Sequence, residues 1–130
     1  MMPVGAGHAR PLRFFMLADF ARACCLAFPH VTETVQWEDD IVFKIGGKMF
    51  AVAPLILAPV VLSFKCSLDD FADLTERPNI IPAPYLARAH WVALQTDDAL
   101  PAAELKRRLR TAYNLVFAAL PKKTQATLKP

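Results

Sequence analysis

Ile41-Val42-Phe43-Lys44-Ile45-Gly46-Gly47-Lys48-Met49-Phe50-Ala51-Val52 is the stretch that decides how this chain folds. Two apolar runs flank a Gly-Gly pair, which is a strong short-range signal for a β-hairpin. Both turn positions can take positive φ at no steric cost. A regular hairpin about this turn sets Phe43 opposite Phe50 and Ile41 opposite Val52 on one face. Lys44 and Met49 then fall on the other.

The pattern extends outward on both sides. Val31 to Trp37 is expected as a preceding strand. Phe14 to Phe28 is unbroken by Gly or Pro and predicts a helix stopped by Pro29. Phe14, Leu17, Ala18, Ala21, Cys25 and Phe28 form its apolar stripe. Residues 1–11 hold Pro3, Gly5, Gly7 and Pro11 and are expected as a flexible tail. Beyond the hairpin, Val60 to Lys65 makes a further strand. Ser67 then caps a helix with Asp70 three residues on, and that helix ends before Pro78. The proline-rich residues 78–84 are expected as an ordered turn or an edge segment. Trp91 to Leu94 is a short strand. Pro101 opens a long helix that runs to Leu120 and stops at Pro121. Leu105, Leu109, Ala112 and Val116 are its buried stripe. The order α-β-β-β-β-α-β-α predicts an α+β fold. Residues 12–130 would form a single domain, a mainly antiparallel sheet with helices packed on one face.

Composition agrees with a folded chain. Of 130 residues, 55% are hydrophobic and 21% charged, which separates it from disordered sequences. No repeat period or heptad run is visible, so solenoid, collagen and coiled-coil readings fail. Met1 to Phe28 looks superficially like a signal peptide, but Asp19 and Arg22 interrupt its apolar part. Residues 49–64 carry no charge, yet Pro54 and Pro59 split them, and a membrane-spanning helix needs roughly 18–20 apolar residues. Cys24, Cys25 and Cys66 are odd in number, two are adjacent, and no Cys-x-x-Cys occurs. A disulfide framework or zinc ribbon is not expected. The expectation is a cytoplasmic protein with no membrane segment.

Charge is unevenly placed. Residues 31–100 hold ten acids and five bases, a net of −5. Residues 101–130 hold Glu104 against Lys106, Arg107, Arg108, Arg110, Lys122, Lys123 and Lys129, a net of +6. Helical geometry puts Lys106, Arg107, Arg110 and Asn114 on one side of the last long helix, opposite its apolar stripe, while Arg108 points elsewhere. Such a face suits phosphate contacts. It also suits plain solvation, since cations are favourable toward a helix C-terminus.

Enzyme chemistry finds little support. No G-x-S-x-G, P-loop, Rossmann fingerprint or H-E-x-x-H is present. The histidines are His8, His30 and His90, and nothing in the sequence positions Cys66 against His90 as a nucleophile pair. Glu38-Asp39-Asp40 lacks the alternating ligand spacing of a calcium loop, and Asp69 and Asp70 suit the first turn of a helix without any metal. Trp37 and Trp91 could stack bases or fill the core. Lys65 could meet a ligand or lie at the sheet rim. No catalytic residue, cofactor or metal is expected.

A set of short motifs then points to a family. Phe28-Pro29-His30-Val31 leads through Glu33 to Trp37. Gly47-Lys48-Met49-Phe50-Ala51, Phe64-Lys65-Cys66 and Ile81-Pro82-Ala83-Pro84-Tyr85 follow. His90-Trp91-Val92 and Ala112-Tyr113-Asn114-Leu115-Val116 complete the order. Over roughly residues 14–120 this set resembles the MmcQ/YjbR family of small bacterial proteins. The resemblance implies a frataxin-like (CyaY-like) fold and the description DNA-binding, through a double-wing arrangement of strands and helix. It supplies no catalytic residues. Two stretches depart from it. Glu38-Asp39-Asp40 stands where relatives tend to have a glycine-containing turn, and three acids there would repel phosphate. Pro54-Leu55-Ile56-Leu57-Ala58-Pro59 stands where relatives have a more polar hairpin, and it either offers an apolar surface or folds back on the core.

The expected function is therefore weak, sequence-independent binding of double-stranded DNA by a non-catalytic protein. Lys106, Arg107, Arg110, Lys122 and Lys123 would touch phosphates, with Lys44, Lys48 and Lys65 adding contacts from the strands. The alternatives are a protein-interaction module using the 54–59 segment, with Leu55 and Leu57 as its test positions, and a frataxin-like metal binder using Glu38, Asp39 and Asp40.

Overall fold

Gly46 and Gly47 adopt φ of +60° and +81° and turn β2 (Asp40–Ile45) back onto β3 (Lys48–Pro54). The computed structural model describes residues 9–56 and 58–128, and of residues 9–16 the backbone alone. Beside the turn, Ile45 pairs with Lys48 and Lys44 with Met49. Beyond it the register shifts by one, so that Phe43 faces Ala51, Val42 faces Val52 and Ile41 faces Ala53. The expected pairs Phe43–Phe50 and Ile41–Val52 are thus corrected. The cause is a β-bulge, which sets two neighbours of one strand against one residue of the other. It lets Phe50 and Ala51 join the same core as Phe43 and Ile45, and it turns Val52 to the opposite face.

Four more strands extend the hairpin. They are β1 (Thr32–Gln36), β4 (Leu62–Lys65), β5 (Ile80–Pro82) and β6 (Trp91–Leu94). All pairings are antiparallel, in the order β1-β2-β3-β4-β6-β5. Pro82 lies in an edge strand, where a missing N–H costs no ladder bond. The proline-rich 78–84 segment is therefore partly an edge strand, as one of its two readings had it.

The helices are α1 (Ala9–Leu26), α2 (Leu68–Leu74), α3 (Ala102–Ala119) and α4 (Lys122–Leu128). Each adds side chains to one core. Leu17, Ala21 and Cys25 come from α1, Leu74 from α2, Leu105, Leu109, Ala112 and Val116 from α3, and Leu128 from α4. These pack on Phe43, Phe50, Phe64 and Leu62 of the sheet. Each such aromatic stabilises the fold by about 1.5–3 kcal/mol through burial. The fold is α+β, with the helices gathered on one face.

Ser67 caps α2 as expected, its Oγ accepting the Asp70 N–H at 3.1 Å. α1 begins five residues before its expected start and takes in Pro11, assigned above to the tail. Proline is tolerated in a first turn, where its missing N–H has no partner to lose. Residues 1–8 of that tail, including His8, the Phe14 side chain, Leu57 and Lys129 lie outside the described residues. α4 was not expected. Pro121 ends α3 but its carbonyl accepts the Gln125 N–H at 2.9 Å and starts a new helix.

The other sheet face has its own smaller cluster of Val42, Val52, Ala83, Trp91 and Ala93. No described helix residue of α1 to α4 belongs to it. Two connections pack there instead, through Val60 on one side and Leu86 on the other. Of the 54–59 segment only the start folds back, while Ile56 and Pro59 are exposed. Pro54 is buried, and the Leu55 N–H is donated to Asp39 O at 2.6 Å.

Candidate nucleic-acid interface

The stripe predicted for α3 is buried, and Tyr113 joins it. With 3.6 residues per turn, Lys106, Arg107, Arg110 and Asn114 then share roughly 100° of the opposite face, and Lys106 and Arg110 lie about 6 Å apart along the axis. All four are exposed. Among the described residues, none of the three cations makes an ion pair. The last turn of α3 holds no basic residue. Lys122 and Lys123 open α4 rather than close it. The helix dipole therefore does not favour these cations where they stand.

Arg108 behaves differently. Its guanidinium reaches Glu104 at 2.9 Å, Asp70 at 3.3 Å and Asp73 at 3.9 Å, and its side chain is only 17% exposed. Arg77 donates to both Glu104 oxygens, at 3.0 and 2.9 Å. The hydrogen bonds from Arg77, then those from Arg108, hold the Glu104 carboxyl below its usual range. This network engages the acids of α2 and leaves the outer face of α3 basic.

Arg110 stands on an aromatic base. Its guanidinium carbon is 5.1 Å from the Phe28 ring centroid and 5.1 Å from that of Tyr113. Tyr113 packs edge-on against Phe50 at 5.7 Å and donates its hydroxyl to Pro29 O at 2.8 Å. Cation–π contact of this kind restrains the arginine while its N–H groups stay in water. Phe28 and Tyr113 were absent from the expected site. Tyr113 stands three residues after Arg110, a spacing that makes helix neighbours, so that half of the platform had a local signal.

The remaining lysines divide. Lys48 pairs with Ile45 at the hairpin end, on the helix-bearing face, and is exposed. The same turn lies against Leu120 and Leu128, so Lys48 and the start of α4 occupy one end of the molecule. Lys44 and Lys65 alternate with Phe43, Ile45, Phe64 and Cys66, all of which face the helices. Strand alternation sends both lysines to the opposite sheet face. Lys65 donates to Ala89 O at 2.6 Å and fastens a short 3₁₀ turn. The structure does not bring Lys44 or Lys65 to the α3 surface. The acids Glu38 and Asp39 precede β2, whereas Gly46 follows it, so the acidic turn and Lys48 stand at opposite ends of that strand.

The other candidate groups are placed as follows. Trp91 is buried, and Trp37 is 61% exposed. The Cys66 thiol donates to the His90 carbonyl oxygen at 3.2 Å, while the imidazole faces Phe71. Burial, and then Asp70, push that thiol up to about 11, so it stays protonated. Among the described residues no three His, Cys, Asp or Glu side chains gather to hold a metal, Glu38, Asp39 and Asp40 included. No helix among them is long and apolar enough to cross a membrane.

Comparison with known proteins gives a consistent result. The family model described as YjbR matches residues 26–115. The uncharacterized protein YbdF of Escherichia coli O157:H7 is 27% identical over 118 residues, which span 88% of this chain and 95% of that protein. The crystal structure of Deinococcus radiodurans protein DR2400, a DUF419-domain protein, superposes with a TM-score of 0.77 at 31% identity. That match covers 85% of this chain and 86% of that one.

Proposed function

The chain belongs to the YjbR family, and from that premise we propose that it binds the phosphate backbone of double-stranded DNA through the outer face of α3. The observation that carries this reading is the exposed set Lys106, Arg107 and Arg110, which makes no ion pair among the described residues and is kept basic because Arg108 and the acids of α2 neutralise one another. Lys122, Lys123 and Lys48 extend the surface at one end. Lys44 and Lys65 take no part in it. The contacts position a duplex without reading bases, so binding is weak and largely independent of sequence. Two long helices on one face of an antiparallel sheet support a CyaY-like reading of the fold. Free, buried thiols support a reducing cytoplasm and a non-catalytic role.

Fluorescence anisotropy with a labelled generic duplex tests the proposal. If three cations each neutralise one phosphate, the salt slope is about −2.7, and raising salt from about 50 to 200 mM weakens binding about 40-fold. The Lys106→Ala/Arg107→Ala/Arg110→Ala variant is expected to lose most of both the affinity and the slope. An unchanged affinity in that variant would remove α3 as the contact surface. No binding at low salt would remove DNA as the partner.

A further inference from the structure

The helix-free sheet face holds a cavity of about 560 Å³. That lies within the range of small-molecule sites, which run from about 300 to 1,000 Å³. Met49, Val52 and Val60 give it apolar walls. Two groups break the apolar lining. Ser63 is 9% exposed and contributes a hydroxyl to the lining. Asp40 is the one charged group in the lining, and its carboxylate makes neither a hydrogen bond nor an ion pair there. A hydroxyl at such a wall can bond a polar group of a ligand. A carboxylate at an apolar wall is poorly solvated, and burial followed by Asp39 holds its carboxyl above the usual range.

Two aromatic residues stand at the same cavity, Trp37 and Tyr85. Both are exposed, Tyr85 fully. Both hold positive φ, +49° and +66°, which bulky side chains rarely adopt. They come from separate connections, one before β2 and the other after β5. Such backbone persists only where the surrounding structure holds it, and here it presents two aromatic rings at one cavity.

We propose that this cavity binds a small organic cation with an apolar body, its charge facing Asp40 and the Trp37 and Tyr85 rings, its polar substituent bonded to Ser63. Ring quadrupoles attract ammonium groups. The single carboxylate supplies the countercharge, and no cation in the lining competes for it. A neutral apolar ligand would leave Asp40 unpartnered, and an anionic one would be repelled by it.

Choline and its neutral isostere 3,3-dimethylbutan-1-ol are the probes. Titration of the ¹⁵N-labelled full chain is followed by NMR. Choline is expected to shift the Trp37 indole and the Ser63 and Tyr85 amides saturably, and to bind about tenfold more tightly than the alcohol. Asp40→Asn is expected to abolish that preference, Asp40→Glu to retain it, and Trp37→Ala to weaken choline several-fold. Thermal unfolding of each variant establishes that it is folded. DNA affinity in Asp40→Asn is expected to stay unchanged, which separates this site from the α3 surface. Equal affinity for the two probes, the absence of saturable shifts, or shifts confined to α3 would overturn the proposal. So would concentration-dependent shifts at the cavity without any probe, because a second copy of the chain would then fill it.

Discussion

A Cβ built on Gly46 would stand 2.6 Å from Leu120 Cδ1 and 3.3 Å from Leu128 Cδ1, whereas one on Gly47 meets nothing within 4 Å. Both positions carry positive φ, so alanine costs about 1–2 kcal/mol of backbone strain at either. Gly46→Ala must also displace a buried leucine. We expect it to destabilise by about 2–3 kcal/mol and Gly47→Ala by about 1 kcal/mol. Urea midpoints at constant slope measure the difference. Equal losses would mean that Leu120 moves aside freely. The turn itself is legible in the sequence, because two adjacent glycines between apolar runs have few other uses. Which glycine bears the contact is not legible, since Leu120 lies far along the chain.

At the scale of elements, Glu104 ties α3 to the turn that follows α2 by accepting from Arg77, and it also accepts from Arg108 of its own helix. The site is partly exposed, so Glu104→Gln is expected to cost about 1–2 kcal/mol rather than the larger figure for a fully buried pair. The pH dependence has a definite sign. The folded carboxyl titrates below its usual value of 4.5. The stabilisation is therefore complete at neutral pH and lost as pH falls from about 4.5 through the folded value. Thermal unfolding between pH 7 and 3 should show the gap between wild type and Glu104→Gln closing on acidification, and a constant gap would contradict the assignment. Helix α3 shows how far local pattern reaches. Its period of 3.6 gave both the buried stripe and the exposed Lys106, Arg107, Arg110 set. The β2–β3 bulge had no such signal, because Ala51 and Val52 suit a half-buried strand in either register.

For the whole molecule, the three thiols report on cooperativity. Cys24 and Cys25 lie on α1 and Cys66 follows β4, yet all belong to one core. Burial raises all three thiols, Cys25 far above the ordinary range. They are expected to react with Ellman's reagent at one common slow rate, set by global opening. Faster reaction of the α1 pair would mean that α1 detaches on its own. The sequence by itself determined the hairpin, most strands and helices, and the concentration of positive charge after residue 100, because each is written in local periodicity, turn chemistry or composition. Tertiary structure alone decided three things. It engaged Arg108 with acids more than thirty residues away, it sent Lys44 and Lys65 to the face opposite α3, and it brought Trp37 and Tyr85 to one cavity. The reason is the same in each case. The energies come from packing between segments distant in the chain, and no window of sequence contains both partners.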